Sequence, residues 1–227
     1  FKAVEDYWKG SSENHGAGGE WRVEQQRLSW EILDHFASAA TQAGIPATSD
    51  FNGGDNLGVN KFEVNQKRGT RWSSVRGFLD PVRRRANLKI VTAALSDKLV
   101  VEGKRIKGIE FIQHGERCVA HSRIETILAS GSIGSPAILQ RSGIGDVDTL
   151  KALGIPVVHE LPGIGKNLQD HLQQRAIYRV SGARTLNETY HNLFRRGLMG
   201  LDYAFRRRGP LTMAPSQLGI FTRSDAV

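Results

Sequence analysis

Apolar residues recur at helical spacing from Leu28 through Ile32, Phe36, Ala40 and Ala43, and the run stops at Gly44 and Pro46. This predicts an amphipathic helix whose apolar side is a core face. Asn192–Arg208 carries Phe194, Leu198, Leu201 and Phe205 on one side of a second, basic helix. Such a helix suits a membrane surface, but its apolar face is short and holds Gly197 and Gly200, which favours packing on a sheet. Shorter helices are predicted between Lys67 and Pro81 and over Asp148–Leu153, the latter stopped by Gly154 and Pro156. Strand patterns occur at Leu88–Val91, Lys98–Glu102, Ile106–Ile112, Arg117–His121 and Ile124–Ala129. They describe a small antiparallel meander inserted between two buried strands. Pro156–His159, Gln173–Val180 and Leu218–Phe221 read as further strands, whereas Asn14–Gly19 and Asp50–Asp55 read as loops.

The stretch Ile124–Gly145 organises this pattern. Its apolar, β-branched start predicts a buried strand, and Gly131 and Gly134 allow a tight turn close to a ligand. Ser135 then stands as the expected N-cap, Pro136 at the first helical position and Gly143 just past the end. A strand, glycine turn and capped helix expose backbone N–H groups at the end of a parallel sheet, where α/β folds bind cofactors.

The 227 residues suffice for one large or two small domains, and no apolar run is long enough to cross a bilayer. The start at Phe1 and the abrupt end read as those of an internal fragment, with no signal peptide and a cytoplasmic location that leaves room for peripheral membrane association. A net charge of +8 points to anionic partners, yet the basic residues are scattered among carboxylates without interleaved aromatics. A nucleic-acid partner is therefore not expected. The single Cys118 excludes an internal disulfide and reads as an inert buried thiol.

No complete catalytic constellation is present. The chain lacks GxGxxG and the phosphate-loop pattern, and the seven histidines have no metal-ligand spacing, so no metal is expected. His114 and His121 fall in a predicted surface hairpin. Ser132, between strand and helix, invites comparison with a hydrolase nucleophile partnered by Asp170 and His171. The elbow pattern wants glycine where Ser130 stands, and adjacent Asp170 and His171 diverge on most backbones. A serine hydrolase and a basic binding module without catalysis remain as alternative readings.

The run Ser130–Gly145 resembles the second signature of the glucose–methanol–choline (GMC) flavin oxidoreductases: a small-residue turn, Ser135-Pro136, the aliphatic pair Ile138-Leu139, then Ser142-Gly143-Ile144-Gly145. Asn14–Gly19, Asp50–Gly53, Arg71–Ser74, Leu161–His171 and Arg208–Thr212 follow the order found in choline-dehydrogenase-like members, so the resemblance covers essentially the whole chain. It implies an α/β (α+β overall) architecture: part of a Rossmann-like FAD-binding domain with the inserted β-meander, then the start of an antiparallel-sheet substrate domain. Residues 1–85 would be connecting and cap elements, 86–170 part of the FAD domain and 171–227 the start of the substrate domain. The implied cofactor is FAD, with contacts from Ser96 (where the family usually has valine), Ser130, Gly131, Asn167, Asp170 and His171. The implied reaction is hydride transfer from an alcohol carbon to flavin N5, on a choline-like or other small alcohol and with an unnamed electron acceptor. The family's catalytic histidine and dinucleotide fingerprint are expected outside residues 1–227. The chain alone is therefore expected neither to hold FAD tightly nor to turn over alcohol.

Overall fold

A computed structural model of the chain describes residues 1–183 and 185–223. The chain divides into two units, Phe1–Leu88 with Ile177–Val227, and Lys89–Ala176.

The first unit opens with two strands that the sequence pattern does not announce. β1 (Glu5–Tyr7) pairs in parallel with β2 (Trp21–Gln25), and β2 pairs antiparallel with a later two-residue strand. Helix α1 (Glu31–Gln42) starts at Glu31 rather than Leu28 and ends before Gly44, which takes the left-handed conformation that a side chain resists. Only Ala40 of its predicted core face is fully buried, and Phe36 points into solvent. β3 (Gly58–Lys61), β4 (Glu63–Val64) and the hairpin of β5 (Gln66–Lys67) and β6 (Thr70–Arg71) follow, with β4 as the partner of β2. The helix expected before Pro81 is a single π-type turn over Val75–Leu79.

The second unit is built on an antiparallel meander of β7 (Ala94–Glu102), β8 (Arg105–Gln113) and β9 (Glu116–His121). His114 and His121 are exposed on it, whereas Cys118 is only partly buried. The predicted flanking strands do not form. Leu88–Val91 and Ile124–Ala129 are irregular, and Ile124 and Ile127 remain 86% and 79% exposed. A parallel strand is stabilised by a neighbour that accepts its hydrogen bonds, and among the described residues neither segment has one. Leu128 alone turns inward onto the core of Leu99, Ile138 and Ile144.

Helix α2 (Gly131–Arg141) begins five residues before the expected start, so Pro136 lies inside it and Ser135 is not the N-cap. The Ser135 hydroxyl accepts the Ser130 amide at 3.0 Å, which wraps the first turn back on itself. The C-terminal prediction holds: Gly143, at φ +79°, follows the last turn, and its N–H donates to the Gln140 carbonyl at 2.9 Å. β10 (Ile144–Gly145), α3 (Val147–Ala152) and β11 (His159–Glu160) then make a short parallel crossover, with Leu150 fully buried beneath it. Pro156–Val158 carries no strand. Gln173–Val180 is exposed and without strand structure, because among the described residues nothing pairs with it.

The chain returns to the first unit through α4 (Leu186–His191), α5 (Leu193–Arg206) and β12 (Leu218–Phe221). β12 pairs antiparallel with β3, so residues far apart in sequence close one small sheet.

Candidate functional site

In the second unit, three of the residues expected to face a cofactor, Ser96, Ser130 and Gly131, lie along α2. Gly131, at φ +80°, starts the helix, and a side chain there would meet nothing within 4 Å. Its neighbour Ser130 makes no side-chain cap, so the first-turn amides keep their donors. An unobstructed glycine beside uncapped N–H groups fits the approach of an anionic, polar group. At the other end of the helix, Arg141 grips β7. Its Nε donates to the Asp97 carbonyl at 2.8 Å and its Nη2 to the Ser96 carbonyl at 3.2 Å. Asp97 is the extra residue of a β-bulge between the Ser96–Phe111 and Lys98–Glu110 pairs, and Arg117 holds its carboxylate at 3.1 Å. Ser96 is thus positioned through its main chain, at the end of the helix that Ser130 and Gly131 begin.

The buried Ser142 fixes the helix to the sheet. Its hydroxyl accepts the Leu99 amide at 2.8 Å and donates to the Ile138 carbonyl at 2.6 Å. Gln140 donates to the Ile164 carbonyl at 3.4 Å, and Lys166 reaches the Asp146 carboxylate at 3.2 Å, which ties down the loop after β11. Hydrogen bonds from Thr149 and then from Lys166 lower the Asp146 carboxyl to about 2. Asn167 leaves this loop in the left-handed conformation, at φ +58°. Asp170 and His171 lie beyond it, exposed, with the Asp170 carboxylate accepting the His171 backbone N–H at 2.8 Å. The structure therefore sets Ser130 and Gly131 at the start of α2 and Ser96 on β7 beside its far end, tethers the approach to Asn167, and leaves Asp170 and His171 without packing. Among the described residues, no hydrogen bond links Ser132 to Asp170 or His171, so no hydrolase triad is assembled. Among the described residues, no three His, Cys, Asp or Glu side chains are arranged to hold a metal ion.

The first unit contains a polar centre that sequence reasoning missed. His15, 3% exposed, bridges two carboxylates. Its Nδ1 lies 3.1 Å from Glu5 Oε2, and its Nε2 lies 2.8 Å from Asp50 Oδ2. Each nitrogen needs a proton to donate, so the geometry selects the imidazolium. Burial pushes the ring toward neutrality, but the hydrogen bonds and charges of Asp50 and Glu5 outweigh it and raise the His15 pKa above its ordinary value. The Tyr7 ring stacks on His15 at 3.7 Å, and its hydroxyl donates to Glu63 at 2.7 Å, as does the Trp8 indole N–H. Burial first, then the Glu63 hydrogen bond, pushes the Tyr7 phenol well up, so it stays a donor.

Glu5, His15, Asp50 and Glu63 form one wall of a cavity of about 420 Å³, whose other walls include Trp21, Phe51, Phe62 and Phe221. The three phenylalanines pack edge-on or tilted, with centroids 4.8–6.2 Å apart. β3 and β12 bring Phe221 here, a placement that no local pattern signals. The only trace in the sequence is a histidine in a glycine-rich loop and an aspartate in a turn, both of which read equally well as solvent-exposed.

The meander and glycine-started helix of the second unit and the strands, helices and aromatic-walled cavity of the first make a chain of mixed helices and sheets, of the α/β class. The chain belongs to the GMC oxidoreductase family, whose profile it matches over residues 2–173. It is 37% identical to human mitochondrial choline dehydrogenase and 38% identical to the oxygen-dependent choline dehydrogenase of Pectobacterium carotovorum, over 99% of its own length in both cases. It spans 38% and 40% of those two proteins. Among solved structures, it matches pyridoxine 4-oxidase from Mesorbium loti with a TM-score of 0.71 at 32% identity, covering 75% of this chain and 34% of that one. An FAD-dependent oxidoreductase from Chaetomium thermophilum shares the fold, with a TM-score of 0.83 at 23% identity over 96% of this chain and 41% of that one.

Proposed function

We propose that this chain forms part of an FAD-dependent oxidoreductase acting on the CH–OH group of a small alcohol. The observation that carries the reading is the open, uncapped start of α2 at Gly131, held rigidly against β7 by Ser142 and Arg141. When bound, the flavin supplies the hydride acceptor. This chain supplies the seat. The first-turn amides of α2 and the main chain of Ser96 hold the cofactor, and Asn167, Asp170 and His171 close on it from the following loop. The second unit takes the FAD-domain role expected for 86–170, and the first contributes substrate-side wall through the cavity at Phe51, Phe62 and Phe221.

Choline-like alcohols are the proposed substrate class, because the relatives named above are choline dehydrogenases. A cytoplasmic location is part of the same proposal. The test is flavin content. The complete protein that carries this chain is expected to purify with FAD, and its flavin absorbance is expected to bleach when alcohol is added without oxygen. Gly131→Asp, which places a carboxylate at the mouth of the seat, is expected to lower FAD content severalfold with far-UV circular dichroism unchanged. Full FAD occupancy in that variant would remove Gly131 from the site, and absence of flavin from the wild type would remove the function.

A further inference from the structure

The flavin seat at α2 makes no use of His15, the buried cation of the first unit. Its two carboxylate partners differ. Glu5 stands on β1 with its side chain 3% exposed, and its Oε2 also accepts the Gly16 amide at 2.8 Å. Asp50 stands at the head of an exposed turn with its side chain 19% exposed, so water reaches it. Its second oxygen accepts the Asn52 amide at 2.8 Å, so one carboxylate both grips His15 and shapes the turn. Phe51, between these two residues, is held in the cavity wall against Phe62 and Phe221.

The titratable and charged groups around the ring come from three elements. Glu5 and Tyr7 face it from β1 and Asp50 from the turn, while Glu63 of β4 lies behind the phenol. Lys9 stands 5.9 Å from the centre of the Tyr7 ring. Among the described residues, no lysine or arginine pairs with Glu5, Asp50 or Glu63, so the imidazolium is the cation that offsets the first two. A neutral ring keeps one N–H for two acceptors. Taking it from Glu5 would strand a carboxylate that water does not reach, which costs far more than returning Asp50 to solvent. The remaining proton therefore stays on Nδ1, and the bare Nε2 lone pair faces Asp50 Oδ2 at 2.8 Å. Two acceptors at that distance repel, and the Asp50 side is the one free to open.

We propose that His15 is a one-proton latch on the Asp50 turn: the imidazolium holds Phe51 in the cavity wall, and loss of the Nε2 proton releases the turn while the Glu5 side stays shut. Closure raises the ring's affinity for its proton, so the latch is fully shut below the ordinary histidine pKa of 6.5 and loosens as pH rises toward the folded value. The experiment is hydrogen exchange by mass spectrometry on the complete protein between about pH 6 and about pH 10, each rate divided by the intrinsic rate at that pH. Protection of residues 50–56 is expected to fall about tenfold or more, by at most about tenfold per pH unit because one proton is involved. The Gly16 amide, still held by Glu5, is expected to change less than about twofold. Asp50→Asn is the diagnostic variant: its amide N–H can donate to the neutral Nε2 while its oxygen still accepts the Asn52 amide, so its turn is expected to stay protected to the alkaline end. Unchanged protection of the wild-type turn across this range would overturn the proposal. So would exposure of Gly16 together with the turn, or an Asp50→Asn turn that opens with pH as the wild type does. Exchange is read without substrate and independently of flavin content, so its failure leaves the FAD reading standing.

Discussion

Ser142→Ala tests how the signature helix is held to its sheet. β7 is an edge strand, and the Leu99 amide points away from β8 toward α2, where the Ser142 hydroxyl is its acceptor at 2.8 Å. Both residues are buried, so removing the hydroxyl leaves a backbone donor that water does not reach. An unsatisfied buried amide costs roughly 1–3 kcal/mol. The Ile138 carbonyl loses one donor but keeps the Ser142 backbone amide at 3.1 Å, so it adds little. A central value of about 2 kcal/mol corresponds to a roughly 30-fold change in the unfolding equilibrium. Denaturant unfolding gives the global loss, and hydrogen exchange of the Leu99 amide gives the local one. Ser135→Ala is the matched control: its hydroxyl accepts the Ser130 amide on an exposed turn, where water replaces it at a cost below about 0.5 kcal/mol. If Ser142→Ala is no more destabilising than Ser135→Ala, the hydroxyl is not what fastens α2 to β7.

Two further outcomes follow from local geometry. His15→Gln removes the cation between Glu5 and Asp50 and is expected to destabilise by about 3–5 kcal/mol, read by chemical denaturation. Because folding raises the His15 pKa, its stabilisation is complete below the ordinary value of 6.5 and is lost as pH rises through the folded value. The groups facing the ring are Glu5, Asp50 and Tyr7, with Glu63 behind the phenol, so wild-type melting temperature should fall on the alkaline side and that slope should flatten in His15→Gln. Gly143→Ala is expected to cost about 2–5 kcal/mol, because φ is +79° and the new methyl would lie against the Pro156 carbonyl. Gly154→Ala, at φ +67° in open space, is expected to cost only about 1–2 kcal/mol by thermal melting; equal losses would show that the close approach at Gly143 does not matter.

Much of this protein was legible from its sequence where the physics is local. Turn glycines and alternating apolar residues set out the meander from Ala94 to His121, and the Gly143 stop and the α3 and α5 segments follow from spacing and capping. The motif from Ser130 to Gly145 carried the family, because close backbone approach and helix ends constrain residue type directly. Tertiary structure decided the rest. Ile124–Ala129 has the composition of a strand, but a strand needs a partner, which no residue pattern of its own supplies. His15 was invisible as a centre because its two carboxylates come from 10 residues upstream and 35 residues downstream, joined only when β1 and the Asp50 turn meet. Phe221 reaches the cavity only through the pairing of β12 with β3. Whether the apolar stripe of α5 is a core face or a surface likewise depends on what packs against it, and the hydrophobic period is the same in both cases.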